Sequence, residues 1–281
     1  MSGFENKRVC ITGGAGGIGL CLVREFLRAG ARVLVSDVDA AALDRVPGEI
    51  GAGSGELLVR QVDVSDREAV GRFAAWVQEL WGGLDVLVNN AGIGCFGELI
   101  ETPIATWQKL MGVNFWGPLY HVEAFLPGMV QQGGGQVINV SSGQAFFRLP
   151  TWGAYATSKA ALGIWSELLS AETRKLGIYV TTVYPFMVDT GFYQDIEGET
   201  WTQKLSMKLV PYYSMSAERV ARIIFKAAER RKRVEMVSPL NDMARLIRLL
   251  PGGALLSDTI TVMIMGKDAA EIQRAIGDEE R

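Results

Sequence analysis

The chain has 281 residues, 48% of them hydrophobic and 21% charged, with a formal net charge of −3 and no large basic block. That length can bury a sizeable core in one large α/β domain or two small ones, and the charge balance points away from nucleic acid as a partner. Three cysteines without paired or metal-like spacing (Cys10, Cys21, Cys95) and a single histidine, His121, lend no support to a disulfide framework or a zinc mechanism.

The first strand is expected over Arg8–Thr12, an apolar run in which Cys10 reads as a small buried hydrophobe. No basic region with an apolar secretory core precedes it, so no signal peptide is expected. A glycine-rich turn follows, Thr12-Gly13-Gly14-Ala15-Gly16-Gly17-Ile18-Gly19, and then a helix over Ile18–Ala29. Glycines after a strand allow positive φ and close approach to a pyrophosphate, which the helix amino terminus favours electrostatically. The second strand, Arg32–Ser36, ends at Asp37. A carboxylate there accepts hydrogen bonds from adenosine ribose hydroxyls and repels a 2′-phosphate. Neither Ala15–Gly16 nor Val38 offers a cation for that phosphate, so NAD (NADH) is expected rather than NADP.

Further strands are expected over Leu57–Val62, Val86–Asn89, Gln136–Val140, Tyr179–Val183 and Val234–Val237, with helices over Asp66–Leu80, Ile104–Val130, Gly153–Leu176 and Ala217–Glu229. Several strands are apolar throughout, as in a parallel sheet covered on both faces. The alternation predicts an α/β, doubly wound Rossmann-type sheet of about seven mostly parallel strands. One catalytic domain is expected over 1–238, with a lid at 190–215, followed by a helical extension over 239–281. No apolar run is long enough to span a bilayer, because Arg245, Arg248, Pro251 and Asp258 interrupt the nearest candidate. A reducing cytoplasmic setting fits best.

Tyr155 and Lys159 stand four residues apart, one helical turn, so phenol and ammonium project from one face. A free phenol has a pKa near about 10, too high for a base at neutral pH. A neighbouring ammonium, joined by the positive ring of an oxidised nicotinamide, favours the phenolate, so that Tyr155 can exchange a proton while hydride moves.

The glycine turn, Asp63-Val64, Asn89-Asn90-Ala91-Gly92, Asn114, Ser142 and Tyr155-x-x-x-Lys159 together resemble the short-chain dehydrogenase/reductase family, over roughly the first 235 residues. The resemblance implies that Gly13, Gly17, Ile18 and Gly19 hold the dinucleotide, that Asp63 and Val64 meet the adenine, that Asn90 and Ala91 lie beside the adenosine ribose, and that Gly92 also binds the cofactor. It implies that Lys159 holds the nicotinamide ribose and that Asn114 kinks its helix and relays protons through water to Lys159. Ser142, thirteen residues before Tyr155, is favoured over Ser141 as the group that binds the substrate oxygen. After the sixth strand the family usually reads Pro-Gly; here Pro185 is followed by Phe186, with Val188 and Thr190 still able to reach the carboxamide. The resemblance also implies a homodimer or homotetramer built on the helices of Asn114 and Tyr155. Ala161, Leu162, Ile164, Trp165, Leu168 and Leu169 make the second of these apolar on several faces, as a buried helix would be.

Segments that line the substrate pocket in that family carry Cys95, Phe96, Gln144, Phe147, Leu149, Trp152, Phe186, Phe192 and Tyr193 here. Aromatic walls with Gln144 as the one polar selector suit a lipophilic secondary alcohol or ketone, of steroid, sterol or terpenoid type, with a retinoid or long-chain alcohol as the alternative. An epimerase or dehydratase that keeps its nucleotide would call for sugar-nucleotide anchors, which are not evident. A non-enzymatic nucleotide-binding regulator would have no need of all four of Asn114, Ser142, Tyr155 and Lys159. The extension over 240–266 alternates apolar residues with Arg245 and Arg248, a pattern able to rest on a membrane, on the lid or on a second subunit.

Overall fold

β1 (Arg8–Thr12) pairs in parallel with both β2 (Arg32–Asp37) and β4 (Val86–Asn89), which places the amino-terminal strand at the centre of the sheet. The structure, a computed structural model, describes residues 3–51, 55–147, 151–190 and 214–249. Adding β3 (Leu57–Gln61), β5 (Gly135–Val140), β6 (Ile178–Tyr184) and a last strand over Val234–Met236 gives seven strands, all pairing in parallel, in the order β3-β2-β1-β4-β5-β6 and then the last strand. The sheet is the Rossmann-type one expected. The order reverses direction between β1 and β4, and ligands of such sheets bind in the crevice at that switch point.

Successive side chains of each strand point to opposite faces, and both faces are buried. Val9 and Ile11 join a core with Leu22 and Phe26 of α1 (Gly17–Arg28) and with Val220 and Ile224 of a late helix over Ala217–Glu229. There the rings of Phe4, Phe26 and Phe225 meet one another at 5.0 to 5.2 Å. Cys10 and Leu34 face the other way, onto Phe73 and Val77 of α3 (Arg67–Trp81) and Val122 and Phe125 of a later helix. Each fully buried Phe or Leu contributes about 1.5–3 kcal/mol, which is why these strands lack alternation.

One element departs from the sequence reading, and one expected irregularity takes a specific form. α2 (Ala40–Ile50), capped by Asp39 accepting from the Ala42 amide, was not anticipated; it carries Pro47 and buries only Leu43 and Val46, so its periodic signal is weak. The helix expected over Ile104–Val130 is broken into α4 (Ile104–Met111), a π-turn at Gly112–Trp116 and α5 (Gly117–Gln131). Asn114 sits inside that π-turn.

After β5 come a single turn, α6 (Gln144–Phe147), and the long α7 (Gly153–Thr173), which bears Tyr155 and Lys159. Polar bonds set α7 along the sheet. Ser141 Oγ donates to Lys159 O at 2.7 Å, Asn139 Nδ2 and Thr182 Oγ1 donate to Ser166 Oγ at 2.9 and 2.7 Å, and Ser170 Oγ donates to Val180 O. Each is worth about 1 kcal/mol, but together they fix the helix's axial position. α7 is not buried all round, as its composition suggested: Ile164 and Leu168 are 66% and 59% exposed. Apolar periodicity reports burial without saying whether the chain itself or another molecule provides the cover.

Two short strands, β7 (Val188–Asp189) and β8 (Met215–Ser216), pair at the edges of the expected lid, whose residues 191–213 lie outside the described ones. α8 (Ala217–Glu229) leads to β9 (Val234–Met236), and α9 (Pro239–Leu249) then packs against α6 and β9. Residues 250–281 of the expected extension also lie outside the described ones. Among the described residues no helix is long and apolar enough to cross a membrane.

Candidate active site

The glycine turn is shaped by what it touches. Gly13 and Gly17 hold φ of +60° and +53°, values that favour glycine. A β-carbon on Gly13 would stand 2.7 Å from Ala91 Cα, and one on Gly19 would strike Gly13 O and come within 2.7 Å of Asn90 Nδ2. The turn can therefore press against the end of β4. Asn90 Nδ2 donates to Thr12 O and Gly13 O at 3.0 and 2.9 Å, while Thr12 Oγ1 accepts from the Asn90 and Ala91 amides at 3.1 Å. At the tip of β2, Asp37 Oδ2 accepts from the Ala15 amide and Oδ1 from the Asp39 amide, both at 3.2 Å. A carboxylate has about four acceptor positions, so Asp37 keeps capacity for ribose hydroxyls. Asp63 Oδ1 accepts from Ser65 N and Ser65 Oγ at 2.9 and 2.7 Å, a turn that faces the same space.

These groups border one cavity of about 720 Å³ along the carboxyl ends of the strands. Its lining takes in Gly13, Gly17, Ile18, Asp37, Asp63, Val64, Asn90, Ala91, Gly92, Ser142, Tyr155, Lys159, Pro185, Val188 and Thr190. Gly19 and Asn114 are buried behind the wall. A cradle of close-packed glycines at a helix amino terminus, an acidic group at the next strand tip and a buried lysine further along suit a nicotinamide dinucleotide.

At the far end, Ser142 hydrogen-bonds the Tyr155 hydroxyl. Burial pushes the Tyr155 phenol up to about 12, with the Ser142 bond pulling the other way. Burial also pushes Lys159 down to about 8, and its Nζ donates to Val140 O at 2.9 Å. The expected lowering of the phenol by an ammonium neighbour is not found: burial and the Ser142 bond are the influences on it, and burial wins. At neutral pH the pair stands as phenol and ammonium.

Asn114, inside the π-turn, is clamped from outside it. Its Oδ1 accepts from the Ile93 amide at 2.9 Å, and its Nδ2 donates to Ile93 O and Ser158 Oγ at 3.0 Å. Ser158 Oγ in turn donates to Tyr155 O at 2.8 Å. Because Ser158 spends its proton there, it accepts from Asn114, which sets the amide's orientation. A β-carbon on Gly92 would stand 3.0 Å from Lys159 Nζ and 3.3 Å from Asn114 Oδ1, so glycine keeps the space between those two groups open.

The residues expected to line a substrate pocket form two groups outside that lining. Phe96 and Trp152 meet edge to face at 5.6 Å, and Trp152 packs on Tyr155 at 5.7 Å. Trp152 is buried in a small core with Leu110, with Cys95 packed at its edge, so it backs Tyr155 rather than facing the cavity. Phe147 and Phe186 stack at 4.1 Å beyond Ser142. Gln144 is buried, its Oε1 without a hydrogen-bond partner among the described residues. Leu149, Phe192 and Tyr193 lie outside those residues. Phe186 does not require a glycine's conformation; the left-handed φ falls on Met187, at +46°.

Sequence reasoning passed over Lys109, Ile93, Val113 and Met187, all of which line the cavity, and Ser158. Val113 and Ser158 directly precede Asn114 and Lys159, and Lys109 stands one turn before Val113, so helical spacing held the signal. His121, expected as a helix residue rather than a metal ligand, is buried in α5 with Nδ1 against Gly117 O at 2.9 Å. No cluster of metal-binding side chains occurs among the described residues.

Comparison with known proteins agrees with this geometry. The family model for short chain dehydrogenases matches residues 7–201. A curated relative, "Probable oxidoreductase EphD" of Mycobacterium tuberculosis (strain ATCC 25618 / H37Rv), is 35% identical over 246 residues, 84% of this chain and 42% of the relative. The chain thus spans about two fifths of the length of that protein. The crystal structure of a short chain dehydrogenase/reductase from Burkholderia phymatum in complex with NAD superposes with a TM-score of 0.80 at 25% identity, covering 95% of this chain and 99% of that one. L-sorbose reductase from Gluconobacter frateurii, complexed with NADPH and L-sorbose, does so with a TM-score of 0.74 at 25% identity, covering 84% and 96%. With the glycine turn, Asn114, Ser142, Tyr155 and Lys159 gathered along one cleft and the family model running through all of them, the chain belongs to the short-chain dehydrogenase/reductase family of oxidoreductases.

Proposed function

We propose that the protein is an NAD-dependent oxidoreductase that interconverts a lipophilic secondary alcohol, of steroid, sterol or terpenoid type, and its ketone. The convergence of Ser142, Tyr155 and Lys159 on a cavity that also reaches Asp37 carries this reading. Ser142 Oγ and the Tyr155 hydroxyl are bonded to each other, so both can converge on one substrate oxygen. Tyr155, protonated at neutral pH, donates its proton to an alkoxide forming on the substrate. Ser142 stabilises the charge on that oxygen, and Lys159, held by Val140 O, supplies a positive field and a donor for ribose hydroxyls. When bound, the nicotinamide gives or takes the hydride, and its oxidised form adds a positive charge that favours the phenolate.

Asp37 at the β2 tip, with no cation on Val38, supports NAD, as in the Burkholderia phymatum neighbour; the Gluconobacter frateurii neighbour holds NADPH and a sugar. The stacked rings of Phe147 and Phe186 beyond Ser142 support a lipophilic substrate over a sugar. A cytoplasmic location, a homodimer or homotetramer formed through the exposed Ile164–Leu168 face, and membrane contact through 240–266 as an alternative use of the extension complete the proposal.

Turnover of hydroxysteroids, retinol, a long-chain alcohol and short polyols, each with NAD and NADP, tests it. The expected result is NAD reduction with lipophilic secondary alcohols. Preference for polyols, or for NADP, overturns the respective assignment. Tyr155→Phe is expected to lower turnover at least about 100-fold while NAD binding by titration is retained; a variant that keeps most activity would require another acid.

A further inference from the structure

The helix after the last strand reaches back to the catalytic serine through one side chain. Asn241, in the first turn of α9, is fully buried. Its Nδ2 donates to Tyr184 O, the end of β6, at 2.5 Å. Tyr184 O also accepts from the Val237 amide at 3.3 Å, so strand and helix meet on one carbonyl. With Nδ2 committed there, Oδ1 faces the opposite way, onto Gly143, where a β-carbon would collide with it. Oδ1 is buried without a hydrogen-bond partner among the described residues. An orphaned buried acceptor is costly, and its retention calls for a reason.

Gly143 is the residue after Ser142. Its amide donates to Pro185 O at 2.6 Å, tying the turn after β5 to the turn after β6. Phe186 presses on Gly143 from another side, with Cβ 2.9 Å from the position a glycine β-carbon would take. Ser142 Oγ accepts from the Gln144 amide at 3.2 Å. Ser142 and Pro185 both border the cavity, so the two turns form a wall of the site, and Asn241 stands behind their junction.

We propose that Asn241 is a positioning residue: by gripping Tyr184 O and backing Gly143, it holds Ser142 at hydrogen-bond distance from Tyr155. The first turn of α9 is thereby part of the catalytic apparatus although Asn241 does not line the cavity. The inference rests on the family assignment and is independent of which alcohol is turned over.

The test needs no substrate. Tyrosine labelled with 13C at Cζ is introduced into the full chain, and the Tyr155 resonance is identified by its loss in Tyr155→Phe. In Asn241→Ala and in Asn241→Leu, which keeps the volume and removes the amide, that resonance is expected to shift. Hydrogen exchange across 141–147 is expected to quicken about tenfold, as for loss of one hydrogen bond, while 86–92 stays protected. A folded variant with both the Tyr155 resonance and the exchange of 141–147 unchanged overturns the proposal. So does a shift in Asn241→Ala that Asn241→Leu fully rescues, since volume alone would then explain it. Should neither variant fold, Asn241→Ser keeps a short polar side chain and is measured in the same two ways. A shifted resonance with faster exchange then supports the proposal, and no change in either overturns it. Because neither readout involves turnover, a failure of the substrate proposal leaves this test intact.

Discussion

Asp37 shows how one carboxylate can do two things. Its oxygens accept from the Ala15 and Asp39 amides, which shape the glycine turn, and they also border the space where an adenosine ribose would lie. Removing it is therefore expected to loosen the turn as well as the proposed preference for NAD. Asp37→Ala with Val38→Arg is expected to lower the ratio of NAD to NADP efficiency by about 10- to 100-fold, in line with the loss of a charge-assisted bond and a repulsion. Measuring kcat/KM with both nucleotides checks this, and an unchanged ratio would place cofactor choice elsewhere. The residue types gathered along this cavity were readable without coordinates because few side chains offer their chemistry. What could not be read was the balance at Tyr155, where burial exceeds the influence of every neighbour.

α5 carries a different kind of prediction. His121 is enclosed by Phe73 and Phe125, and burial pushes it down to about 4, the Gly117 carbonyl bond opposing. Above about pH 6.5 the ring is neutral in both folded and unfolded chains, so it contributes no slope. Between there and pH 4 the unfolded chain takes up a proton that the folded one refuses. Stability therefore falls with acidification across that window, by about 3 kcal/mol in all. His121→Phe is expected to flatten this loss, seen as a smaller drop in Tm between pH 7 and pH 4.5; parallel drops in both proteins would show that other groups carry it. The break between α4 and α5 could not be placed from periodicity, since a π-turn keeps helical spacing on either side. The kink expected at Asn114 came from the resemblance, and its cause is the pair of bonds to Ile93.

The assembled chain presents Ile164 and Leu168 of α7 to the outside, with Trp116 44% exposed. Ile164→Glu with Leu168→Glu is expected to reduce the native mass to that of one chain, as light scattering after gel filtration would report. A wild type already monomeric under the same conditions would refute the proposed self-association. Such faces are ambiguous in a sequence, because burial against a second copy and burial in a core select the same side chains.

The residue order alone was enough for the parallel sheet, the glycine turn after its first strand, and the placing of Tyr155 and Lys159 on one helix. Continuous apolar strands have no stable alternative to a sheet covered on both sides, and the spacing of Tyr155 and Lys159 on a helix is local geometry. Folding in three dimensions supplied what no local pattern contains. It set α7 against Asn139 and Thr182, hid Trp152 behind Tyr155, and carried Asn241 from the segment after β9 to the back of Gly143. Those outcomes depend on contacts between residues distant along the chain, whose energies are decided only when the layers close upon one another.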